Sequence, residues 1–384
     1  MKRFLSLFLV FVMCLTVFVG CSKPAEPSTS NTEATEQSSE QASEEKSDKT
    51  TSSAAIPESV NGKSFKIALV KEWGTGTHMV THINAVKKEA EELGMTVNVV
   101  DANHDIVKMA DGINAAVEEG VDAILISHGK PDGLKSAVEE ALKAGIPVIA
   151  FDIDFDIDSE LADGLLISLD QNDLMLALLA LEKLVQDIDG EGNIVYSYLY
   201  GVAPTDKRDR IYKAVLQTYP RVKEVARFQA SPSNAMAEAQ QRMEAVLTAN
   251  PQKGDIDAVF AVWDEYAKGC FNAITQKKRD EIKLYGIDMS DQDLAMMQDK
   301  SGVWKAAAAV DPAVIGQVQV RLALKALAGE RIPRYYSLQP VLVKLEDLPK
   351  DKRVTVNELP NIYDGWGSSD EFLTDWMKAI KASK

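Results

Sequence analysis

The chain has 384 residues, 46% of them hydrophobic and 26% charged, which is ample for a large core and favours two domains over one. Its 42 lysines and arginines against 58 aspartates and glutamates give a formal charge of −16, which argues against nucleic acid, because phosphate binding rests on clustered cations. Composition also excludes collagen-like, membrane-embedded and disulfide-scaffold classes.

Met1-Lys2-Arg3 precedes the apolar run FLSLFLVFVMCLTVFV, which has the charge, length and position of a secretory signal over residues 1–20. The run ends in Phe18-Val19-Gly20-Cys21, which resembles the lipobox of bacterial lipoproteins and implies lipidation of Cys21. Residues 22–56 hold 14 Ser or Thr, seven acids, three Lys and no aromatic residue. Such a segment buries too little apolar surface to offset its ordering entropy, so 21–61 reads as a lipidated cysteine and a disordered tether. Cys14 leaves with the signal and Cys21 is acylated, so Cys270 remains alone and no intramolecular disulfide forms. The expected location is extracytoplasmic, at the outer face of the cell membrane, with the lipid as the only membrane contact.

Residues 66–70 (KIALV) read as a strand, 72–77 (EWGTGT) as a loop, and 78–93 as a helix of strong formers stopped by Gly94. Next come a strand at 96–100, a helix at 107–119 ending at Gly120, and a strand at 123–127. A helix at 133–144 and a strand at 148–151 follow, separated by Gly145-Ile146-Pro147. An intervening helix at 174–186 leads to a second series: strand 193–198, helix 209–218, strand 222–228, helix 234–247, strand 258–262, helix 266–276 and strand 283–287. The alternation predicts an α/β fold of two doubly wound parallel-sheet lobes.

Ligands of open parallel sheets bind beyond the carboxyl ends of the strands. The residues there are Glu72 and Trp73, Asp101, His128, Asp152, Tyr200, Trp263 with Asp264, and Asp288. Carboxylates accept hydrogen bonds from hydroxyls, and aromatic faces pack on the C–H faces of sugar rings. Asp101 and Asp264 read equally well as turn residues or helix caps.

Several stretches carry a resemblance to the ribose/galactose-type sugar-binding proteins of ABC importers, the type I periplasmic-binding fold. They are IALV with KKEAEELG, GVDAILIS, AGIPVIAFD, VLTANP leading to DAVFAVWDEYAKG, and LYGID, within residues 64–346. The resemblance implies two lobes, joined by three crossovers near residues 168, 310 and 337, that close over one small ligand. On that basis 62–168 plus 311–336 form the first lobe, and 169–310 plus 337–346 the second. Residues 347–384 are a C-terminal extension, in which 370–380 (DEFLTDWMKAI) reads as an amphipathic helix packing on the body.

Carried over residue by residue, the resemblance matches Asp152, Arg208 before a second-lobe helix, and Asp288, and it puts Asn234 at the start of another helix. Trp263 stands where ribose binders use asparagine, His78 and Met79 replace a stacking pair of phenylalanines, Ile153 an arginine, and Val310 a glutamine. A polar ligand survives this comparison; ribose itself does not. The expected ligand-binding set is Glu72, Trp73, Thr75, His78, Met79, Asp152, Arg208, Asn234, Trp263 and Asp288. In it Glu72, Asp152 and Asp288 accept from hydroxyls, and Arg208 donates two hydrogen bonds from its fork.

Other chemistry finds little support. His78 and His82 have the spacing of two zinc ligands, but no further Cys or His lies nearby and HExxH is absent, so no metal is expected. Gly74-Thr75-Gly76 lacks the rest of a phosphate loop, GxSxG is absent, and Cys270 falls within a predicted helix. Neither a cofactor nor catalysis is therefore expected. The reading is a monomeric solute-binding lipoprotein that captures a small neutral sugar or polyol for the permease of an ABC importer. A same-fold signal receptor of autoinducer-2 type, passing its ligand state to a membrane kinase, and a glycan-acting enzyme are the alternatives.

Overall fold

The computed structural model describes residues 55–384 except Ser368; the signal, Cys21 and most of the tether lie outside the described residues. In the first lobe strands and helices alternate as β1 (Phe65–Lys71), α1 (Thr77–Glu92), β2 (Met95–Asp101), α2 (Ile106–Glu118), β3 (Ala123–Ser127), α3 (Pro131–Lys143), β4 (Val148–Phe151), the short α4 (Ser159–Ala162) and β5 (Leu166–Asp170). The second lobe runs α5 (Asp173–Asp187), β6 (Gly192–Ser197), α6 (Ala203–Thr218), β7 (Val222–Phe228), α7 (Ala235–Ala249), β8 (Ala258–Ala261), α8 (Asp264–Gln276), β9 (Lys283–Ile287), α9 (Asp291–Met297) and β10 (Trp304–Ala309). The chain then returns for α10 (Pro312–Leu327) and β11 (Tyr335–Ser337), and ends with β12 (Val341–Lys344) and α11 (Asp375–Ala382).

Two six-stranded sheets result, ordered β2-β1-β3-β4-β5-β11 and β7-β6-β8-β9-β10-β12. All pairings are parallel except β10 with β12. Parallel sheets need cover on both faces, so their central strands are apolar throughout. The sequences AILIS of β3 and AVFA of β8 meet that need and are buried at every residue. Helix ends follow local chemistry: the Asp105 carboxylate accepts from the Val107 and Lys108 N–H groups and caps α2, and Pro131 opens α3. Gly269 lets α8 lie directly on α7, since a Cβ there would meet the Met236 carbonyl at 2.4 Å.

Several expectations need correction. Residues 56–61 are not tether: Val60 is buried, Ile56 packs on the first-lobe core, and the Ser59 hydroxyl donates to the Ala328 carbonyl at 3.0 Å. Helix α6 begins at Ala203 rather than 209, because Pro204 sits in the first turn, where its missing N–H costs nothing. Arg208 therefore projects from inside the helix and does not precede it.

The chain passes between lobes from Asp170 to Asp173, from Ala309 to Pro312 and from Ser337 to Val341. The C-terminal extension adds a fourth passage. Leu348, Val354, Leu359 and Trp366 pack into the second-lobe core, whereas Trp376 and Met377 pack into the first. Arg321 of α10 anchors the passage, its guanidinium donating to the carbonyls of Ser369 (2.6 Å) and Glu371 (3.2 Å). The terminal helix starts at Asp375 rather than 370, capped by Thr374, whose hydroxyl accepts from the Met377 N–H.

Candidate functional site

Between the carboxyl ends of the two sheets lies a cavity of about 530 Å³. Eight of the ten expected residues line it: Glu72, Trp73, Thr75, His78 and Met79 from the first lobe, and Arg208, Trp263 and Asp288 from the second. Where β1 ends, the Glu72 carboxylate accepts from the Gly129 N–H at 2.8 Å, tying the loop after β1 to the loop after β3. Trp73 stacks on His104 with centroids 5.2 Å apart and leans on His128 at 4.6 Å. Trp263 directly precedes α8 and packs on Tyr266.

Asp152 and Asn234 are not in the wall. Asp152 is fully buried and accepts from the Gln171 side-chain amide at 2.8 Å; it is Gln171 that lines the cavity. Asn234 closes the 3-10 turn Pro232–Asn234 and is exposed, while its neighbours Ser233 and Ala235 face the cavity. A single step along a turn redirects the side chain, and sequence spacing does not resolve such a step. Asp101 is a turn residue, accepting from the Asn103 N–H at 2.9 Å. Tyr200 is exposed outside the cavity, whereas His128 and Asp264 line it. Gln171 is absent from the expected set because the sequence pattern does not single out β5; with β5 ending at Asp170, Gln171 is a strand-end residue like the others.

Three strand-end residues, His128, Asp152 and Asp288, adopt left-handed backbone conformations with φ of 64°, 55° and 73°. Each costs on the order of 1 kcal/mol, a strain that tends to collect at binding sites.

Arg208 is only partly free for a ligand, contrary to the two-bond expectation. Its Nε donates to Asp173 Oδ1 at 2.9 Å and its Nη1 to the Val262 carbonyl at 2.7 Å, with Asp288 Oδ2 3.7 Å away. Burial pushes Asp173 up to about 6, against the pull of Arg208. Asp288 is likewise raised by burial to about 6, with Arg208 opposing and Asp264 adding. Burial, then the charges of Asp173 and Asp170, hold Asp152 well above the ordinary aspartate range. Oxygens of Asp152, Asp170 and Asp173 lie within 4.8 Å of one another, but Lys207, 2.5 Å from Asp170, and Arg208 already supply positive charge there. Both ring nitrogens of His82 are hydrogen-bonded, to Lys71 and Gln319, so it does not pair with His78 as a metal ligand. Burial lowers His78 to about 4, leaving it neutral. The Cys270 thiol is buried and pushed up to about 12, which removes it as a nucleophile.

Four wall residues carry buried polar atoms without a hydrogen-bond partner: His78 Nδ1, Gln171 Oε1, Trp263 Nε1 and Asp288 Oδ1. Buried polar groups are ordinarily paired, so an unpaired set carried by the residues of one wall marks groups that a bound ligand can satisfy. Trp263 donates; Asp288 and Gln171 accept. The wall carries Glu72, Asp264, Glu265 and Asp288 against Lys130 and Arg208, an excess of negative charge.

The ribose import binding protein of Bacillus subtilis is 28% identical over 283 residues, 73% of this chain and 87% of that protein. A sugar ABC transporter protein from Yersinia enterocolitica has a similar structure, with TM-score 0.80 and 31% identity over 86% of this chain and 98% of that one. The 5-methylthioribose transporter solute-binding protein of Thermotoga lettingae, solved with 5-methylthioribose, gives 0.77 and 32% over the same shares. The family described as periplasmic binding protein domain matches residues 67–331, most of both lobes, and with two sheets flanking one polar cleft this chain belongs to that family.

Proposed function

We propose that this protein captures a small neutral sugar or polyol in the cleft and presents it to the permease of an ABC importer. The observation that carries the reading is the set of four unpaired polar atoms, two acceptors and one donor among them, on residues that wall one cavity with Trp73. Hydroxyl hydrogens satisfy the acceptors, a hydroxyl or ring oxygen satisfies Trp263, and the indoles cover C–H faces. The negative excess of the wall disfavours sugar phosphates and carboxylates. Bound sugar touches both lobes and so stabilises the closed arrangement over the open one. The relatives from Bacillus and Thermotoga, named for ribose and 5-methylthioribose, support this class. The protein acts as a monomer that releases its sugar unchanged, and the relatives named for import and ABC transport favour the importer over a same-fold receptor.

A thermal-shift screen tests the reading, since a ligand that binds only the folded protein raises its midpoint. Neutral pentoses, polyols or 5-methylthioribose should raise it and their phosphates should not. A response confined to anionic compounds, or turnover of a sugar, would sink the proposal.

Asp288 adds a pH dependence. Burial raises its carboxyl to about 6, and the ionised form is the stronger acceptor of hydroxyl hydrogens. Binding below that value therefore favours release of a proton, and affinity should fall by up to about tenfold between pH 7.5 and pH 5. Calorimetry in buffers of different ionisation enthalpy would reveal proton release at pH 5; equal affinity at both pH values would count against Asp288 as a ligand acceptor.

We also infer a lipid anchor at Cys21, from the signal, the lipobox and the tether. Cys21→Ala should appear in the medium or remain unprocessed. Fully processed protein still held by the membrane would contradict the anchor.

A further inference from the structure

Lys71, the last residue of β1, is completely buried, and no carboxylate lies within ion-pairing distance of it among the described residues. It belongs to a chain of hydrogen bonds whose direction can be worked out from one end. The Gln319 amide nitrogen donates to two carbonyls, Ile126 and Ile149, both at 3.1 Å. Its Oε1 is therefore turned to His82 Nε2, 2.6 Å away, and can only accept. His82 thus carries its hydrogen on Nε2. Burial and the neighbouring Lys71 keep the ring neutral, so Nδ1 is bare.

Lys71 Nζ donates to that bare nitrogen at 2.8 Å and to Ser127 Oγ at 3.1 Å. The Lys71 ammonium has no lone pair, so both bonds run outward from it. Among the described residues the Ser127 hydroxyl has no acceptor other than His128 Nδ1, 2.9 Å away, so its hydrogen goes there. The His128 hydrogen is left on Nε2. That atom makes no hydrogen bond among the described residues, the nearest carboxylate oxygen, on Asp152, lying 3.7 Å away. Phe151 meets the His128 ring edge-on at 5.4 Å and Trp73 presses on it from the cavity, fixing its plane.

We propose that Gln319, His82, Lys71 and Ser127 form a buried relay that locks His128 as an Nε2–H donor in the cavity wall, which makes these four residues positioning residues for ligand recognition. The proposal builds on the sugar-binding reading, in which His128 and Trp263 become the two neutral donors facing ligand oxygens. The relay starts on α10, directly after a passage between the lobes, and ends at the wall. Its members come from α10, α1, β1 and β3, so no local motif announces it.

The chain has only four histidines, so nitrogen-15 labelling at histidine and single substitutions assign every ring. In the full chain without ligand, His128 should show a pyrrole-type Nε2 and a pyridine-type Nδ1. Ser127→Ala should convert His128 to a mixture of tautomers while His82 keeps its signals, and Ser127→Thr should restore the single form. In parallel, Ser127→Ala should weaken whichever of D-ribose and 5-methylthioribose binds by about tenfold, with Ser127→Thr close to the unaltered chain. A His128 protonated on Nδ1 in the unaltered protein, or a tautomer unmoved by Ser127→Ala, overturns the relay even if sugars bind. If neither sugar binds, the tautomer result still decides the relay.

Discussion

Arg208→Met should destabilise the folded protein by about 3–5 kcal/mol at pH 7.5, the cost of stripping the partner from a buried ion pair. Arg208 and Asp173 are both buried, joined at 2.9 Å, and the same guanidinium holds the Val262 carbonyl and approaches Asp288 at 3.7 Å. Methionine keeps much of the volume and none of the hydrogen bonds. The loss should shrink towards pH 5, because Asp173 and Asp288, already raised to about 6 by burial, can then neutralise themselves by taking up protons. Arg208→Lys should rescue little, since one ammonium cannot span the carboxylate and the carbonyl as the planar fork does. Adding Asp173→Asn to Arg208→Met should recover part of the loss. Urea midpoints for these variants give the result directly, and an Arg208→Met protein within about 1 kcal/mol of the unaltered one would show that the pair is not structural.

The second large effect is on binding. Asp288→Ala should weaken the cognate sugar by about 2–4 kcal/mol, roughly 30- to 1000-fold, because ligand hydroxyls would then enter a dry site without their acceptor. Asp288 Oδ1 is one of the unpaired atoms, and its other oxygen faces Arg208, so the substitution also frees a buried guanidinium. Stability should move far less than for Arg208→Met, because the Asp173 bond to Arg208 remains. The variant therefore separates a ligand contact from a structural one.

Much of the fold could be read from the chain because parallel strands are short apolar runs and helices end at glycines. KIALV, AILIS and VIAF declare themselves, and Glu72 and His128, just beyond the first two, line the cleft. Strand β10 could not be read: WKAAAA has no β-branched residue, and an alanine run favours helix in isolation. Its pairing with β9 and β12 is a tertiary decision. The fourth passage was equally hidden, since an amphipathic pattern says that Trp376 is buried but not against which lobe. At the site, Glu72, Trp73, Trp263 and Asp288 follow from strand ends alone. Asn234 lies one residue off the positions that face the cavity, and Asp152 is turned to the Gln171 amide instead, neither of which sequence spacing resolves. The relay behind His128 joins residues up to 237 positions apart, beyond the reach of any spacing argument.

The account rests on the cleft as the sugar site, and titration calorimetry of three proteins with one cognate sugar tests it most directly. The unaltered chain and Asp101→Ala should bind alike, because Asp101 only closes a turn outside the cavity, while Asp288→Ala should lose at least about thirtyfold in affinity. Equal binding by Asp288→Ala and Asp101→Ala would contradict the account.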